Sequence, residues 1–501
     1  MAKLTSYNLK VWLVVTIAAF SWGFGASIFA TSSGQPGFYD YFGLDPTSRH
    51  TANILSAINA CFFGGCALGA LAQCYASDWV GRRGAFAISA CLTLLGAALV
   101  AGSVQIAELF MFRVVQGIGS GMILGLVPLY LTEVAPPKHR GLMAGSTQFA
   151  GGCGYIVNSF ASIGCYHSTN LSLSWRLPLA CACIGPLGLL AGLFFIPESP
   201  RYLVWRGKQE KAYDILKLLH HDPKAPSEAD AQAEFTQIIR QVELDKEDQA
   251  TLVVMFQKPS WRRRSISVMI LLFMQQAAGT YGITNYFPLL IQSLGMTADL
   301  ALWLFCVYSV VATLGIGAFI LVLDRYGRRL LLLIGFATVP CILLAEALLQ
   351  WKYQGTTSTG GNGTCVLFIF LFIIFFQAID APTFVWMAEV FPTAIRAKGV
   401  SLGLFAYFVG TVTFSTPAAV ALQSIKWGMF LIYAGLCVVS LIGVYFFLPE
   451  TKGIPVEEIG ALFGDTVAVY LTEDGTNIIE DKSSAYHVEL TTVEQKAEEK
   501  V

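Results

Sequence analysis

Long apolar runs alternate with short polar breaks along almost the whole chain. A helix needs ~20 mostly apolar residues to cross the hydrocarbon core of a bilayer, and twelve runs meet that length. They lie near 11–30, 52–74, 84–105, 108–131, 142–164, 177–196, 265–293, 299–322, 330–351, 365–390, 399–422 and 427–448. The first has no small-residue cleavage site behind a short apolar core, and more spans follow it, so it is expected to be a helix and not a removed leader. The pattern predicts an all-α integral membrane protein: six helices in 1–197, a helical linker in 198–264, six more helices in 265–448 and a polar tail in 449–501. In the linker Ala212, Ile215, Leu216 and Leu219 share one helical face, and Phe235, Ile238, Ile239 and Val242 share another. The tail opens on a helix-like "PVEEIGALF" and ends in "VEQKAEEKV", a composition expected to be partly disordered.

Composition agrees with a membrane protein: 55% of the 501 residues are hydrophobic, 13% are charged and mean hydropathy is +0.60. The net charge of −1 conceals charge gathered into loops, and nothing supports nucleic-acid binding. The twelve cysteines are scattered in apolar runs with neither CxxC nor metal-ligand spacing, so they read as small core residues and no metal site is expected. No nucleophile constellation or phosphate loop appears. The glycines of "GIGSG" at Gly117–Gly121 lie in an apolar helix, where close helix packing explains them. An enzyme is not expected.

Lysine and arginine set the expected orientation. The loops between spans 2–3, 4–5, 8–9 and 10–11 hold Arg82, Arg83, Lys138, Arg140, Arg325, Arg328, Arg329, Arg396 and Lys398; the opposite loops hold only Arg49, Arg176, Lys352 and Lys426. Both termini and the linker are therefore expected to be cytoplasmic in a multi-pass cell-membrane protein. Two N-x-S/T sequons, at Asn170 and Asn362, fall in outside loops on this assignment and are glycosylation candidates.

Charged motifs recur. "DWVGRR" (Asp78–Arg83) returns as "DRYGRR" (Asp324–Arg329), offset by 246. "EVAPPKHRG" (Glu133–Gly141) answers to "EVFPTAIRAKG" (Glu389–Gly399), with both Glu and both Arg offset by 256, and "PESPR" (Pro197–Arg201) answers to "PETKG" (Pro449–Gly453), offset by 252. Three motifs in one order at nearly one offset make the chain two homologous six-helix halves, the arrangement of carriers whose site lies between the halves near the midplane.

These motifs, with "PESPRYL", "RVVQGIGSG" and "QQAAGTYGITNYF", closely resemble the sugar porter family of the major facilitator superfamily over about residues 11–460. The resemblance implies a twelve-helix fold, alternating access to a sugar or polyol site between the halves, no cofactor and a carrier that works as a monomer in a lipid bilayer. It also implies a conformational lock on the cytoplasmic side, with Asp78, Arg82, Arg83, Glu133 and Arg140 in one cluster and Asp324, Arg328, Arg329, Glu389 and Arg396 in the other, joined by Glu198 and Glu450. The alternative reading makes the arginines topological anchors and the glycine a tight turn.

At the site the chain departs from the family pattern. Gln148, Gln275 and Gln276 match it, but Tyr281 stands where an Asn is usual, and Tyr407, Phe408 and Thr411 stand where Asn, Trp and Asn are usual. Asn285, Tyr286, Phe384 and Trp386 complete the solute-binding candidates, with ordinary helix packing as the alternative for each. An aromatic site poor in amides suits a larger or less hydroxylated solute than a simple hexose, and export of a specialised metabolite is one reading. Proton-coupled members resemble one another in an Asp of helix 1 poised near an Arg of helix 4. Here Gly25 takes the Asp position while Arg113 is kept, with Glu108 or a solute carboxylate as candidate partners. Facilitated diffusion is expected. The alternative coupling group is Asp380, which would carry protons unless it is hydrogen-bonded inside an unwound "DAPT" segment. A nutrient sensor ranks below these carriers, because the tail is short.

Overall fold

Short polar residues begin helices where the apolar runs resume. Ser48, Asn170, Thr297 and Ser358 each stand just ahead of a helix and accept backbone N–H bonds through their side chains. The computed structural model describes residues 6–46, 48–134, 140–220, 251–356, 358–392, 395–452 and 459–464, with isolated positions at 232, 235–236, 238–239, 242, 470–471 and 478–479. The first half comprises α1 (Ser6–Ser32), α2 (Pro36–Phe42), α3 (Arg49–Gly102), α4 (Ile106–Val134), α5 (Arg140–Tyr166), α6 (Leu171–Cys181) and α7 (Ile184–Gly192). The connecting segment supplies α8 (Pro200–Trp205), α9 (Gln209–His220) and α10 (Leu252–Gln257). The second half comprises α11 (Pro259–Gln276), α12 (Thr280–Thr284), α13 (Phe287–Ser293), α14 (Ala298–Tyr326), α15 (Arg328–Tyr353), α16 (Thr359–Val390), α17 (Arg396–Ser415), α18 (Ala418–Ser424) and α19 (Gly428–Phe447). A last turn, α20 (Ile459–Leu462), and a two-residue antiparallel pairing of Tyr470–Leu471 with Ile478–Ile479 follow.

Ten helices among the described residues are long and apolar enough to cross a membrane. One of them, α3, holds two crossings, because at Gly81 (φ 84°, ψ 173°) its backbone leaves the helix; α5, packed along α1, completes the twelve. The first leg of α3 lies backbone to backbone on α4. A Cβ on Gly117 or Gly121 would strike the carbonyl oxygens of Phe62 and Cys66, so the "GIGSG" glycines serve this close approach.

Three runs that read as single spans are broken. The run 177–196 turns between α6 and α7, 399–422 turns at Pro417 between α17 and α18, and 265–293 divides into α11, α12 and α13. The last break starts at Gly279, which holds a left-handed φ of 80° with the Tyr433 ring occupying the place a Cβ would need. The expected unwinding at "DAPT" does not occur. Helix α16 runs on through Pro382, whose ring removes a single N–H donor, and one residue later the Thr383 hydroxyl donates to the Ile379 carbonyl at 2.7 Å.

Ala212 and Ile215 of the linker's first apolar face pack with its second face, while Leu219 joins the main core. Leu203, Val204, Ala212 and Val242 are buried together, with Ile215, Phe235, Ile238 and Ile239 against them, and Asn8 Nδ2 donates to the Leu219 carbonyl at 3.0 Å, tying α9 to the start of α1. Helix α11 begins at Pro259, at the favoured first-turn position, so residues 259–264 of the linker are helical and continuous with the first span of the second half. Of the helix-like tail segment, Ile459 and Phe463 are buried, and the Arg264 guanidinium lies 5.3 Å from the Phe463 ring centroid.

Candidate solute cavity and its charged ends

The repeated charged motif builds the same device in each half. With no side chain at Gly81, the Glu198 carboxylate reaches the start of the second leg of α3; a Cβ there would fall 2.5 Å from Glu198 Oε2. Glu198 Oε1 accepts the backbone N–H of Arg82 at 2.9 Å, and both carboxylate oxygens accept that of Arg83 at 3.3 Å. The Arg82 guanidinium is a fork onto Glu133, its Nε and Nη2 donating at 2.8 Å each, while Nη1 donates to the Ser77 carbonyl at 3.1 Å and stands 3.7 Å from Asp78. In the second half Gly327 (φ 92°) clears the way for Glu450, which accepts the N–H groups of Arg328 and Arg329 at 3.0 Å each. Arg328 Nη2 donates to Glu389 Oε1 at 2.8 Å, and the Thr451 hydroxyl donates to Glu389 Oε2 at 2.8 Å. Arg329 Nη2 donates to the Tyr445 carbonyl at 2.6 Å, and Arg396 Nε to the Phe391 carbonyl at 3.3 Å. The side chains of Arg140 and Asp324 lie outside the described residues. Burial pushes the Glu198 carboxyl up from its ordinary range, against the N–H groups of Ser199, Arg83 and Arg82, which hold it down.

Midway along the bundle a cavity of about 100 Å³ lies between the halves. Trp22 of α1 and Gln148, Gly151, Gly152 and Tyr155 of α5 wall it from the first half. Opposite stand Gln276, Thr280, Tyr281 and Thr284 from the broken run, Tyr308, Ser309 and Thr313 of α14, Phe376, Gln377, Asp380 and Phe384 of α16, and Tyr407 of α17. Gln275 Nε2 donates to Asp380 Oδ1 at 2.6 Å, the Tyr281 and Tyr407 hydroxyls share a hydrogen bond of 3.0 Å, and those of Thr284 and Tyr308 share another of 3.0 Å. Among the described residues Trp22 Nε1, Gln276 Oε1, Thr280 Oγ1 and Gln377 Oε1 are buried and have no hydrogen-bond partner. Buried polar groups of this kind call for a partner.

Of the sequence candidates, Gln148, Gln276, Tyr281, Phe384, Tyr407 and Asp380 meet at this cavity, and Gln275 stands behind it on Asp380. Asn285 and Tyr286 do not line it. They close the seam between the halves on the face away from the termini: Asn285 Nδ2 donates to Asn59 Oδ1 and Asn59 Nδ2 to Ser415 Oγ, both at 3.0 Å, and the Tyr286 ring meets Phe29 edge-on at 6.3 Å. On the face that bears the arginine pairs, Ser401 Oγ donates to Gln73 Oε1 across the same seam at 2.7 Å. Trp386 points elsewhere, its Nε1 donating to the Pro449 carbonyl at 3.3 Å.

Arg113 is 2% exposed; Nη1 donates to Gln116 Oε1 at 3.0 Å, and the guanidinium covers the Phe62 ring at 4.5 Å. Glu108 is not its partner, because Glu108 Oε2 accepts the N–H groups of Val104 and Gln105 at the start of α4. A Cβ on Gly25 would face Gln116 Nε2 at 3.7 Å and Ser120 Oγ at 3.8 Å. Of the sequons, Asn170 is exposed and caps α6, whereas Asn362 is buried inside the fold with Nδ2 donating to the Leu294 and Thr356 carbonyls.

The sugar (and other) transporter family matches residues 11–463. The chain belongs to this family. Among relatives of this transporter, the "Probable polyol transporter 6" of Arabidopsis thaliana is 31% identical, covering 80% of this chain and 85% of that protein. The "MFS-type transporter criB" of Aspergillus cristatus is 27% identical over 93% of this chain and 95% of its own length, and a "Probable quinate permease" of Neosartorya fischeri is 28% identical over 93% and 91%. The fold is that of the proton:xylose symporter XylE bound to 6-bromo-6-deoxy-D-glucose, with a TM-score of 0.78, 23% identity and coverage of 92% of this chain and 100% of that one.

Several cavity residues of the transporter escaped the sequence reading, and their signal is periodic. Tyr308, Ser309, Ala312, Thr313 and Ile316 recur on one face of α14, and Phe376 and Gln377 share a face of α16 with the already named Asp380 and Phe384. A polar stripe along an apolar span marks the side turned to the cavity.

Proposed function

We propose that this sugar porter carries a hydroxylated organic solute of sugar or polyol size across the cell membrane by alternating access, down the solute's own gradient, with both termini cytoplasmic. The observation that carries this is the cavity between the halves, where Gln276, Gln377, Thr280 and Trp22 hold polar atoms without partners among the described residues. Hydroxyl groups satisfy donors and acceptors alike. The names of the relatives, polyol transporter and quinate permease, agree with a solute of this kind. The excess of Lys and Arg on one face supports the orientation. The charged networks support a lock, because they fix the helix ends beside the seam that must open.

Passive transport is supported by Gly25, which puts no carboxylate on the face of α1 that meets Gln116, the hydrogen-bond partner of Arg113. A second reading, proton symport, has one observation in its favour: the Asp380 carboxylate lines the cavity. Uptake into proteoliposomes with and without an imposed pH gradient decides between them. The passive carrier equilibrates the solute and does not concentrate it, whatever the gradient. Proton-driven accumulation by the wild type that disappears in Asp380→Asn, with exchange between equal pools retained, would replace this reading with symport.

A further inference from the structure

We propose that the solute carries a protonated amine on its hydroxylated body, the ammonium seated against the Asp380 carboxylate among the rings of Tyr155, Tyr281, Tyr407 and Phe384. This rests on the cavity being the solute site. Asp380 opens onto the cavity with one hydrogen bond, from Gln275 Nε2 to Oδ1 at 2.6 Å. Among the described residues no Lys, Arg or His forms part of the wall. Arg113, buried in α4, does not line the cavity and is turned to Gln116 and to the Phe62 ring. A charged carboxylate in a low-dielectric cavity is stabilised by a cation or discharged by taking up a proton; a cationic solute favours the charged form, whereas an anionic solute meets repulsion from it.

The surrounding rings select the kind of cation. Tyr281 and Tyr407 are held edge to face at 6.2 Å by their shared hydroxyl bond, and Phe384 packs edge to face on Tyr407 at 5.4 Å. Aromatic rings around a carboxylate form the arrangement that recognises organic ammonium groups, since the ring faces attract positive charge and the acid neutralises it. The tyrosines standing where the family usually has amides thus exchange hydroxyl recognition for recognition of positive charge. On this inference a carboxylate-bearing solute is excluded, which sets the chain apart from the relatives named as quinate permeases, since quinate is itself a carboxylate.

Three linear polyols that differ only at one end test this with the full-length protein at about pH 7, where an alkyl amine is charged: sorbitol, its 1-amino-1-deoxy analogue glucamine, and gluconate. Each is titrated directly into the purified carrier, and binding is followed by the change in intrinsic tryptophan fluorescence, to which Trp22 in the cavity wall contributes. Glucamine is expected to bind about tenfold more tightly than sorbitol, with gluconate the weakest. Asp380→Asn is expected to bring the glucamine-to-sorbitol ratio close to one, and Tyr407→Leu, which keeps the acid, to lower it part of the way. Sorbitol binding as tightly as glucamine, or a ratio unchanged in Asp380→Asn, overturns the inference and leaves the polyol site standing. Binding of none of the three overturns both.

Discussion

Replacing Arg82 with alanine is expected to destabilise the folded protein by about 3–5 kcal/mol, because it strands a carboxylate that has been taken out of water. Glu133 is 6% exposed in its side chain and Arg82 9%, and the two form a two-pronged pair with both contacts at 2.8 Å. Alanine also removes the bond that holds the Ser77 carbonyl. The matching change in the second half, Arg328→Ala, should cost less. That pair is 12% and 22% exposed, and Thr451 still donates to Glu389 after the arginine is gone. The double change Arg82→Met with Glu133→Leu should recover much of the loss, since it removes both buried charges together. Thermal unfolding of the purified variants in detergent reads all three effects. Equal midpoints for wild type and Arg82→Ala would contradict a buried pair at this end of the fold.

Gln276→Ala is expected to weaken solute affinity by about 1–3 kcal/mol, roughly five- to 150-fold, the cost of leaving a solute group unpaired in a desolvated site. Its Oε1 is buried, turned to the cavity and without a partner, which is the condition of a group awaiting a ligand. Gln148→Ala should act in the same direction from the other half. Trp386→Phe serves as the control, because its indole is buried against Pro449 and does not line the cavity. A loss of affinity in Trp386→Phe as large as in Gln276→Ala would move the site out of this cavity.

Much of this architecture is legible in the sequence because membrane spans are long and apolar and charge is costly inside a bilayer. The apolar runs and the duplicated motifs carry their own periodicity: most runs correspond to single helices, with 52–74 and 84–105 joined in α3 and three others broken, and the linker's first apolar face lies on α9. The glycine of "GRR" was also legible, though its reason was not. Gly81 and Gly327 matter because a carboxylate from more than a hundred residues away must pass where a Cβ would stand, and such a partner leaves no local trace. The breaks near Gly279 and Pro417 were hidden inside unbroken apolar runs, while Pro382, a stronger breaker by composition, sits in a continuous helix because only one backbone bond is forfeited. Asn285 shows the limit at the site. Motif resemblance places it among solute ligands, yet its amide faces Asn59 across the seam, and only the relative placement of the halves separates the two roles.

The most direct test of alternating access to one site is labelling of a cysteine placed at Ala312, a cavity residue of α14, after replacing the twelve native cysteines. A membrane-impermeant thiol reagent is applied from one side of the membrane or the other. The account predicts labelling from either side, slowed in both cases by solute. Labelling from one side only, or at a rate indifferent to solute, would contradict it.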